Sequence, residues 1–238
     1  MTDVAEIWSY LSAGPLLWLT LTLAAYLLAD RIAAAAGRAP WANPVLIAVL
    51  ILAPLLAVTG TDYATYFEGA QFIHFLLGPA TVALAAPLFA NLAAVRATAL
   101  PMAAALVAGS AAGAGSAILM AQWFGLSDAI IASVAPKSTT APVALGISES
   151  LGGLPTLTAA LVILTGIIGA VTVTPLMNAL GISDFRARGF AVGVAAHGIG
   201  TARAFQVNRT AGVYAGAGMA LNAILTSLIV PPLLLLLG

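Results

Sequence analysis

Apolar stretches of membrane-crossing length alternate with short polar stretches along most of the chain. A helix needs about 20 predominantly apolar residues to cross a bilayer, and the pattern predicts about seven such helices. The predicted spans are 11–29, 44–58, 71–95, 101–120, 155–173, 189–205 and 212–237. Two of them are irregular, because Gly78-Pro79 and Pro87 break the third span while Gly198 and Gly200 open the sixth.

The stretch from Ala135 to Gly153 differs from these spans because it concentrates polar groups. It holds the only lysine of the chain, Lys137, among several hydroxyl side chains, and Pro136 and Pro142 would interrupt any helix there. Non-helical backbone at membrane depth occurs where protein or a water-filled cavity satisfies its polar groups. We interpret the stretch as the inside of a binding site, with a surface loop as the alternative.

Basic residues orient the predicted spans, since cytoplasmic loops collect lysine and arginine. With the arginines of 31–38, 96 and 186–188 inside, the fourth span ends outside and the fifth span begins outside. The residues between them, 123–153, then start and finish on one side and form a re-entrant hairpin. Polar loops are predicted at 59–69 and 178–188, and Arg209 would face outward, against the charge rule.

Two portions of the chain, 44–120 and 155–237, share an arrangement. Each has a span that opens with proline, then a broken segment, then a glycine-rich span. Three crossings per portion invert the second relative to the first, and secondary transporters build midplane sites from inverted repeats with interrupted helices. We therefore expect an all-α polytopic membrane protein with one transmembrane domain over 1–238. It comprises a peripheral helix at 11–29, repeat 1, the re-entrant hairpin and repeat 2.

Composition agrees with a polytopic membrane protein. Of the 238 residues, 62% are hydrophobic and 7% are charged, whereas a soluble domain has about 25% charged residues. The net charge of zero gives no basis for binding nucleic acid, and the lipid bilayer is the expected surrounding. The absence of cysteine excludes disulfides and thiolate zinc sites. The acidic first residues do not form a signal peptide, so the first span is expected to be retained.

Lys137 and the hydroxyls of Ser138, Thr139 and Thr140 are the first candidate substrate-binding residues. A charge at membrane depth is costly, and one found there usually has a function. An ammonium, hydroxyls and free N–H groups before a helix would together form a cradle for an anion. The alternative is a lysine that extends to lipid headgroups beside ordinary helix-capping hydroxyls.

The segment 195–204 supplies a second set of candidates. Arg203 can hold a carboxylate with two hydrogen bonds, and His197 titrates near neutral pH and could carry a coupling proton. They lie six residues apart, roughly 240° around a regular helix, so an opening at Gly198 and Gly200 would be needed to bring both together. The alternative is a structural histidine between helices and an arginine at a helix end.

The remaining candidates come from three places in the chain. Gly78 and Thr81 lie at the predicted break of the third span, and Thr201 lies beside His197. Glu149 is a candidate proton carrier or ion-pair partner, with a solvated acid at the hairpin exit as an even alternative. The sequence has none of the motifs of serine hydrolases, zinc peptidases or P-loop proteins. We therefore predict no catalytic residue, no metal ligand and no cofactor.

Five segments of the chain carry a resemblance to a known family. They are N-P-V-L-I-A from Asn43, T-G-T-D-Y-A-T-Y-F-E-G-A-Q-F-I-H-F-L-L-G-P-A-T-V-A-L-A-A-P-L from Thr59, P-K-S-T-T-A-P-V-A-L-G-I-S from Pro136, G-G-L-P-T-L-T-A from Gly152 and A-A-H-G-I-G-T-A-R-A from Ala195. The motifs P-K-S-x-T-x-P and H-G-I-G-T-A are specific. By them the chain is identified as a member of the LrgB/CidB family.

The resemblance implies two kinds of function. Bacterial members of the family are described as holin- or antiholin-like modulators of murein hydrolase activity and autolysis, usually beside a small membrane protein of the LrgA/CidA type. A plastid relative is described as an exporter of glycolate and glycerate, and some bacterial members are linked to pyruvate uptake. The resemblance also implies a multi-pass protein of the bacterial cytoplasmic (inner) membrane.

Two functional hypotheses therefore stay open. The first is a secondary transporter of small monocarboxylates such as glycolate, glycerate, pyruvate or lactate, working by alternating access, with proton coupling undecided. The second is a holin- or antiholin-like membrane protein that modulates murein hydrolase activity. Two seams of small residues, Gly109, Gly113 and Gly115 and Gly212, Gly216 and Gly218, leave a homodimer open. An intramembrane enzyme is a third class, but the sequence holds no catalytic constellation for it.

Overall fold

A computed structural model of the protein describes residues 14–83 and 85–237, and these residues form helices and turns without strands. The helices are α1 (Pro15–Ala35), α2 (Pro44–Thr59), α3 (Tyr63–Ala83), α4 (Ala85–Ala90), α5 (Leu92–Ala97), α6 (Ala99–Trp123), α7 (Asp128–Val134), α8 (Ala141–Ser150), α9 (Pro155–Ala179), α10 (Phe185–Val207) and α11 (Arg209–Leu237). The all-α prediction is confirmed.

Four of the described helices are long and apolar enough to cross a membrane, namely α1, α6, α9 and α11. Helix α2 is apolar but shorter, at 16 residues. A helix of 25 residues such as α6 or α9 is about 37 Å long, which exceeds a hydrocarbon core of about 30 Å. The chain is therefore a helical membrane protein, while the predicted total of about seven crossings is not confirmed.

The chain divides into two compact units, the first ending at Ala83 and the second beginning at Leu84. In the first unit α1 packs against α2 and α3. Trp18 of α1 is fully buried and meets the Tyr66 ring of α3 edge-on, with 6.1 Å between ring centroids. Gly69 lets the backbones of α1 and α3 touch, since a Cβ there would overlap the carbonyl oxygen of Pro15.

The structure corrects two predictions in the first unit. Helix α3 runs through Gly78-Pro79 without a break, with Pro79 inside it. A proline removes one backbone N–H, but in an apolar surrounding the rest of the backbone has no better partner than the helix itself. The predicted polar loop at 59–69 is shorter, because the Asp62 carboxylate accepts a hydrogen bond from the Thr65 N–H and begins α3.

In the second unit α6 and α11 run parallel to one another. Hydroxyls of Thr98 and Tyr214 lie 3.1 Å apart where the two helices begin. The Gln122 amide donates to the Leu237 carbonyl where they finish. Helix α9 runs the opposite way, and the turn after it brings Arg186 into one pocket with Thr98 and Tyr214. We name this side the arginine end and the other side the opposite end.

Residues 128–150 form a helical hairpin, hairpin 1, with α7 and α8 as its arms and 135–140 as its turn. Its arms pack on the parts of α6 and α11 at the opposite end. The buried cluster there comprises Ala114, Ile118, Ala121, Ile131, Ala135, Ile147 and Val230. The predicted helix interruption at Pro136 and Pro142 is confirmed, while the insertion of the hairpin in a membrane stays a prediction.

Residues 185–207 form a second helical hairpin, hairpin 2, because α10 consists of two helical arms that meet at a kink. Its dihedral angles leave the helical range at Ala196 (φ −134°, ψ 22°) and His197 (φ 39°, ψ −134°). Beyond this turn the chain folds back. The evidence is the short distance between the arms, since a Cβ on Gly200 would lie 3.0 Å from the Val192 carbonyl oxygen. Eight residues of continuous helix would separate them by about 12 Å.

Hairpin 2 corrects the sequence analysis in three respects. The segment 189–205 is not a crossing, since it returns to the end at which it starts. Its break lies at Ala196 and His197 rather than at Gly198 and Gly200. Arg209 lies at the arginine end, where it lines a pocket with Arg186, so the predicted outward position of Arg209 is wrong.

The first arm of hairpin 2 packs closely beside α11. A Cβ on Gly189 would overlap the carbonyl oxygen of Ala211, and a Cβ on Gly193 would overlap that of Ala215. The loop before this arm is shorter than the predicted 178–188, because the Asp184 side chain accepts a hydrogen bond from the Arg186 N–H and caps α10.

The second unit contains the same arrangement twice. Residues 99–150 form a long helix followed by hairpin 1, and 155–207 form a long helix followed by hairpin 2. The two long helices are antiparallel and the two hairpins enter from opposite ends, so the halves are inverted. The predicted repeats 44–120 and 155–237 span both units and stay a prediction.

Candidate functional site

A cavity of about 880 Å³ lies within the second unit. Its walls come from α6, α9 and the first arm of hairpin 2, and they are largely apolar. Asp184 and Arg186 line it at the arginine end, and Lys137 and Ser138 of hairpin 1 line its inner end. We name this space the large cavity. It leads from the arginine end to the turn of hairpin 1.

Among the described residues, Lys137 is the one cation that lines the inner end of the large cavity. Its Nζ donates hydrogen bonds to the Gly113 carbonyl at 3.4 Å and to Ser138 Oγ at 3.3 Å. The ion pairs among residues 14–83 and 85–237 are Arg38–Asp30 and Arg186–Asp184, so Lys137 has no carboxylate partner there. An ammonium has three N–H donors. Lys137 therefore offers an unneutralised charge to a ligand in the cavity.

The hydroxyls that follow Lys137 take different positions. Ser138 lines the large cavity with Lys137, whereas Thr139 and Thr140 do not. Thr139 is fully buried, and its Oγ1 has no hydrogen-bond partner in the described part of the chain. Thr140 is the N-cap residue of α8 and its side chain makes no capping hydrogen bond. Of the predicted anion cradle, the structure thus brings Lys137 and Ser138 to the cavity.

His197 lies at the turn of hairpin 2 and holds that turn against α9. It is buried, and its Nε2 lies 2.9 Å from the Val162 carbonyl oxygen. A carbonyl oxygen only accepts, so Nε2 carries the hydrogen and donates it. The Thr201 hydroxyl donates to the His197 carbonyl at 2.8 Å. Neither residue lines the large cavity, and Gly198 and Gly200 lie in the returning arm between them.

Arg203 lies in the returning arm of hairpin 2, away from Lys137. It is buried, at 7% exposure, and it lines a small cavity of about 20 Å³ with Phe185 and Arg188. It does not line the large cavity. The structure therefore places Lys137 and Arg203 at different cavities.

Three further residues are predicted for the site, namely Glu149, Gly78 and Thr81. Glu149 is exposed near the end of α8, on the opposite-end side of hairpin 1. Gly78 and Thr81 belong to α3 of the first unit. Gly78 is exposed there, and the side chain of Thr81 lies outside the described residues. A part for these three residues in binding or proton coupling stays a prediction.

Sequence reasoning missed a buried polar centre at Asn222, halfway along α11. Its side chain is 1% exposed and hydrogen-bonds with residues of α6 and of both hairpins, namely Ser110, Ser138 and Val194. The available signal was a single amide within the apolar run A-L-N-A-I-L of the last span. A polar side chain in such a place is a candidate functional residue by default.

Sequence reasoning also missed the pair at the other end of the large cavity. The Arg186 guanidinium donates to the Asp184 carboxylate at 2.7 Å where α10 begins. These hydrogen bonds lower the pKa of Asp184 to about 2 and raise the pKa of Arg186. Both side chains are about half exposed, so the pair forms an ionised, solvated rim.

Comparison with known proteins gives a consistent result. Residues 22–236 match the LrgB-like family. The protein YwbG of Bacillus subtilis, described as uncharacterized, is 34% identical over 216 residues, covering 91% of this chain and 96% of YwbG. The holin-like protein CidB of Staphylococcus aureus is 32% identical, covering 93% of this chain and 96% of CidB. The holin-like protein CidB of Staphylococcus epidermidis is 31% identical, covering 95% and 98%.

No solved structure matches the chain. The family match spans nearly the whole described chain, including the large cavity and both hairpins. The relatives named holin-like are aligned over almost their full length. The chain is a membrane protein that belongs to the LrgB-like family.

Proposed function

We propose that the protein is a secondary transporter of small monocarboxylates, of the glycolate, glycerate, pyruvate or lactate class, in the bacterial cytoplasmic membrane. One observation carries the proposal. Lys137 has no carboxylate partner in the described part of the chain, and it lies at the inner end of a cavity between two opposed hairpins.

The charge and lining of the large cavity favour a singly charged anion with a small body. One ammonium without an acid beside it leaves one positive charge to be neutralised. A carboxylate accepts charge-assisted hydrogen bonds, which are about twice as strong as neutral ones. Lys137 would hold the carboxylate, Ser138 would donate a further hydrogen bond, and the apolar walls would surround the remainder of the substrate.

The inverted halves of the second unit support alternating access. The large cavity reaches the half-exposed Asp184 and Arg186 at the arginine end, while the packed arms of hairpin 1 fill the opposite end. In transporters built from inverted repeats, alternating access is largely a rigid-body movement of one bundle against the other around a fixed site. In the second state the bundle that bears the hairpins would have moved, and Lys137 would face the opposite end.

Charge distribution favours a cytoplasmic position for the arginine end. Arg186 and Arg209 line one pocket there, and Arg188 lies one helical turn into the same hairpin. The opposite end of this unit carries the acids Asp128 and Glu149. Basic residues collect on the cytoplasmic side, so the large cavity would open to the cytoplasm.

The alternative is a holin- or antiholin-like protein that modulates murein hydrolase activity. The names of the two CidB relatives favour it. Such a function would involve large homo-oligomers or a small membrane protein of the LrgA/CidA type. An unselective pore has no need of a lone lysine in an apolar cavity, and on this ground we place the transporter first.

Uptake into liposomes separates the two functions. Purified protein is reconstituted, and initial uptake of radiolabelled pyruvate, lactate, glycolate and glycerate is measured with and without a pH gradient. We expect saturable uptake that Lys137→Ala abolishes and that the matched variant Ser116→Ala, on an α6 position outside the cavity, preserves. Release of a trapped dye without saturable uptake would contradict the transporter and support a pore.

A further inference from the structure

We propose that Asn222 is a positioning residue that ties the two hairpins together beside Lys137, so that they move as one body during transport. The inference rests on the proposed function, because the two joined hairpins form the body that would carry the substrate site. The first observation is the position of Asn222, which is buried halfway along α11 between both hairpins.

Every hydrogen-bonding position of the Asn222 amide is used. Its Nδ2 donates to the Ser138 carbonyl at 3.2 Å and to the Val194 carbonyl at 3.0 Å. Its Oδ1 accepts from Ser110 Oγ at 2.6 Å and from Thr226 Oγ1 at 3.1 Å. A side-chain amide has two donor hydrogens and two acceptor lone pairs. The amide is therefore fully satisfied without water.

The chemistry of the four partners fixes the orientation of the amide. The carbonyls of Ser138 and Val194 only accept, so the NH₂ group must face them, whereas hydroxyls can donate to the oxygen. The reversed amide would set its oxygen against two carbonyl oxygens. Aspartate has the same shape but no N–H group, so Asn222→Asp removes the hydrogen bonds to the Ser138 and Val194 carbonyls.

The two tied carbonyls belong to hairpins that enter from opposite ends. Ser138 follows Lys137 in the turn of hairpin 1, and Val194 lies two residues before the break of hairpin 2 at Ala196. Since one nitrogen binds both carbonyls, their oxygens are at most about 6 Å apart. Any motion that separates the hairpin turns must break at least one of these bonds.

The hydrogen bonds from Asn222 to Ser138 and Val194, which together form the tie, distinguish two ways in which a transport pathway could open. In one, a single hairpin swings open while the other stays in place, and the Asn222 bonds break in every cycle. In the other, both turns stay joined to α11 and move together. Full burial and full satisfaction of the amide favour the second way, because breaking its bonds would leave the buried Asn222 Nδ2 group without its hydrogen-bond acceptors.

A distance measurement tests the tie directly. The chain has no cysteine, so spin labels can be placed at Ser150→Cys on hairpin 1 and Gln206→Cys on hairpin 2, both exposed positions. Double electron–electron resonance in liposomes then gives the distance distribution between the hairpins. With Asn222 intact, we expect one narrow distribution that saturating pyruvate does not change.

Variants of the amide sharpen this test. Asn222→Asp should broaden the distribution and lower the initial rate of pyruvate uptake about tenfold. Ser110→Ala is the matched control, because it removes one bond to Oδ1 and keeps both carbonyl ties, so the distribution should stay narrow. The dissociation constant of pyruvate, measured beside the uptake rate, separates slower movement from weaker binding.

Two outcomes would overturn the inference. One is a second distance peak that pyruvate induces with Asn222 intact, a result that needs no variant to fold. The other is an Asn222→Asp protein with an unchanged distribution and unchanged uptake. The distance test does not depend on uptake, so a protein with a narrow distribution but no uptake would count against the proposed function and not against the tie.

Discussion

The two hairpins of the second unit share a shape but differ in the contents of their turns. Hairpin 1 has a six-residue turn, 135–140, which presents Lys137 and Ser138 to the large cavity. Hairpin 2 reverses over Ala196 and His197, and both residues are buried against α9. The difference favours hairpin 1 as the source of the proposed binding groups, while hairpin 2 supplies one wall of the large cavity.

The local sequence explains why the turns differ. Pro136 and Pro142 bound the first turn, and each lacks the N–H that would let a helix continue. Hairpin 2 contains no proline, so its break needs the left-handed dihedral angle of His197, φ 39°. Such a conformation is costly for a residue other than glycine and persists where the surroundings hold it. Here the contact with Val162 and the close approach of Gly166 hold it.

Alanine variants of Lys137 in hairpin 1 and Arg203 in hairpin 2 give the strongest test of the difference between the hairpins. Lys137→Ala should weaken pyruvate binding about 100-fold, the loss of a charge-assisted hydrogen bond of about 2 to 3 kcal/mol, with an unchanged melting temperature. Arg203→Ala should lower the melting temperature and change the dissociation constant less than about threefold. Binding isotherms and thermal melts of both variants check this, and the reverse pattern would mean that hairpin 2 carries the charge of the site.

The packing of hairpin 2 gives the next effect. Gly193→Ala should destabilise the protein by about 1 to 3 kcal/mol, because its Cβ would overlap the Ala215 carbonyl oxygen. Gly198→Ala is the matched control, since its nearest neighbour would be Met219 Sδ at 3.9 Å. Thermal melts in detergent compare them. Equal melting temperatures would contradict the close contact between hairpin 2 and α11.

Replacing His197 tests whether the turn of hairpin 2 binds substrate or has only a structural role. His197→Ala removes the hydrogen bond to Val162 and should cost about 1 to 3 kcal/mol of stability. The dissociation constant of pyruvate should change less than about threefold, because His197 does not line the large cavity. His74→Ala, at an exposed position of α3, is the control. Loss of proton-coupled uptake without loss of stability would instead assign His197 to proton transfer.

The rim pair at the arginine end gives the smallest effect. The pKa of Asp184 is about 2, below the ordinary value of 3.8, so the ionised carboxylate stabilises the fold at pH values above 3.8. The contribution disappears as the pH falls through about 2, below the range of transport assays. Asp184→Asn should therefore leave the pH profile of uptake unchanged and alter its rate less than about threefold. A profile that moves with this variant would contradict the assignment.

Sequence pattern predicted the helical class, most helix positions and the family. Apolar length located α6, α9 and α11, and proline spacing located the turn of hairpin 1. The fold-back of hairpin 2 was not predictable by the same reasoning, because no proline marks it and its dihedral angles depend on contacts with α9. Pro79 misled in the other direction, since a single proline can be accommodated inside a long apolar helix.

The candidate site was predicted in part for similar reasons. Lys137 stood out as the only lysine in an apolar chain, and it does line the large cavity. The break in the segment 195–204 was predicted at Gly198 and Gly200, whereas it lies at Ala196 and His197. Neither His197 nor Arg203 lines the large cavity. Asn222 was overlooked because its importance lies in four partners from distant parts of the chain, which no local pattern displays.

The central claim is that Lys137 binds the carboxylate of a substrate in the large cavity, and its uniqueness as a lysine permits a direct test. Purified protein in liposomes is treated with an amine-selective acylating reagent, and modification of Lys137 is followed by mass spectrometry of its peptide. The account predicts that Lys137 reacts, and that pyruvate or glycolate slows the reaction saturably whereas uncharged glycerol does not. A rate that saturating monocarboxylates leave unchanged would contradict it.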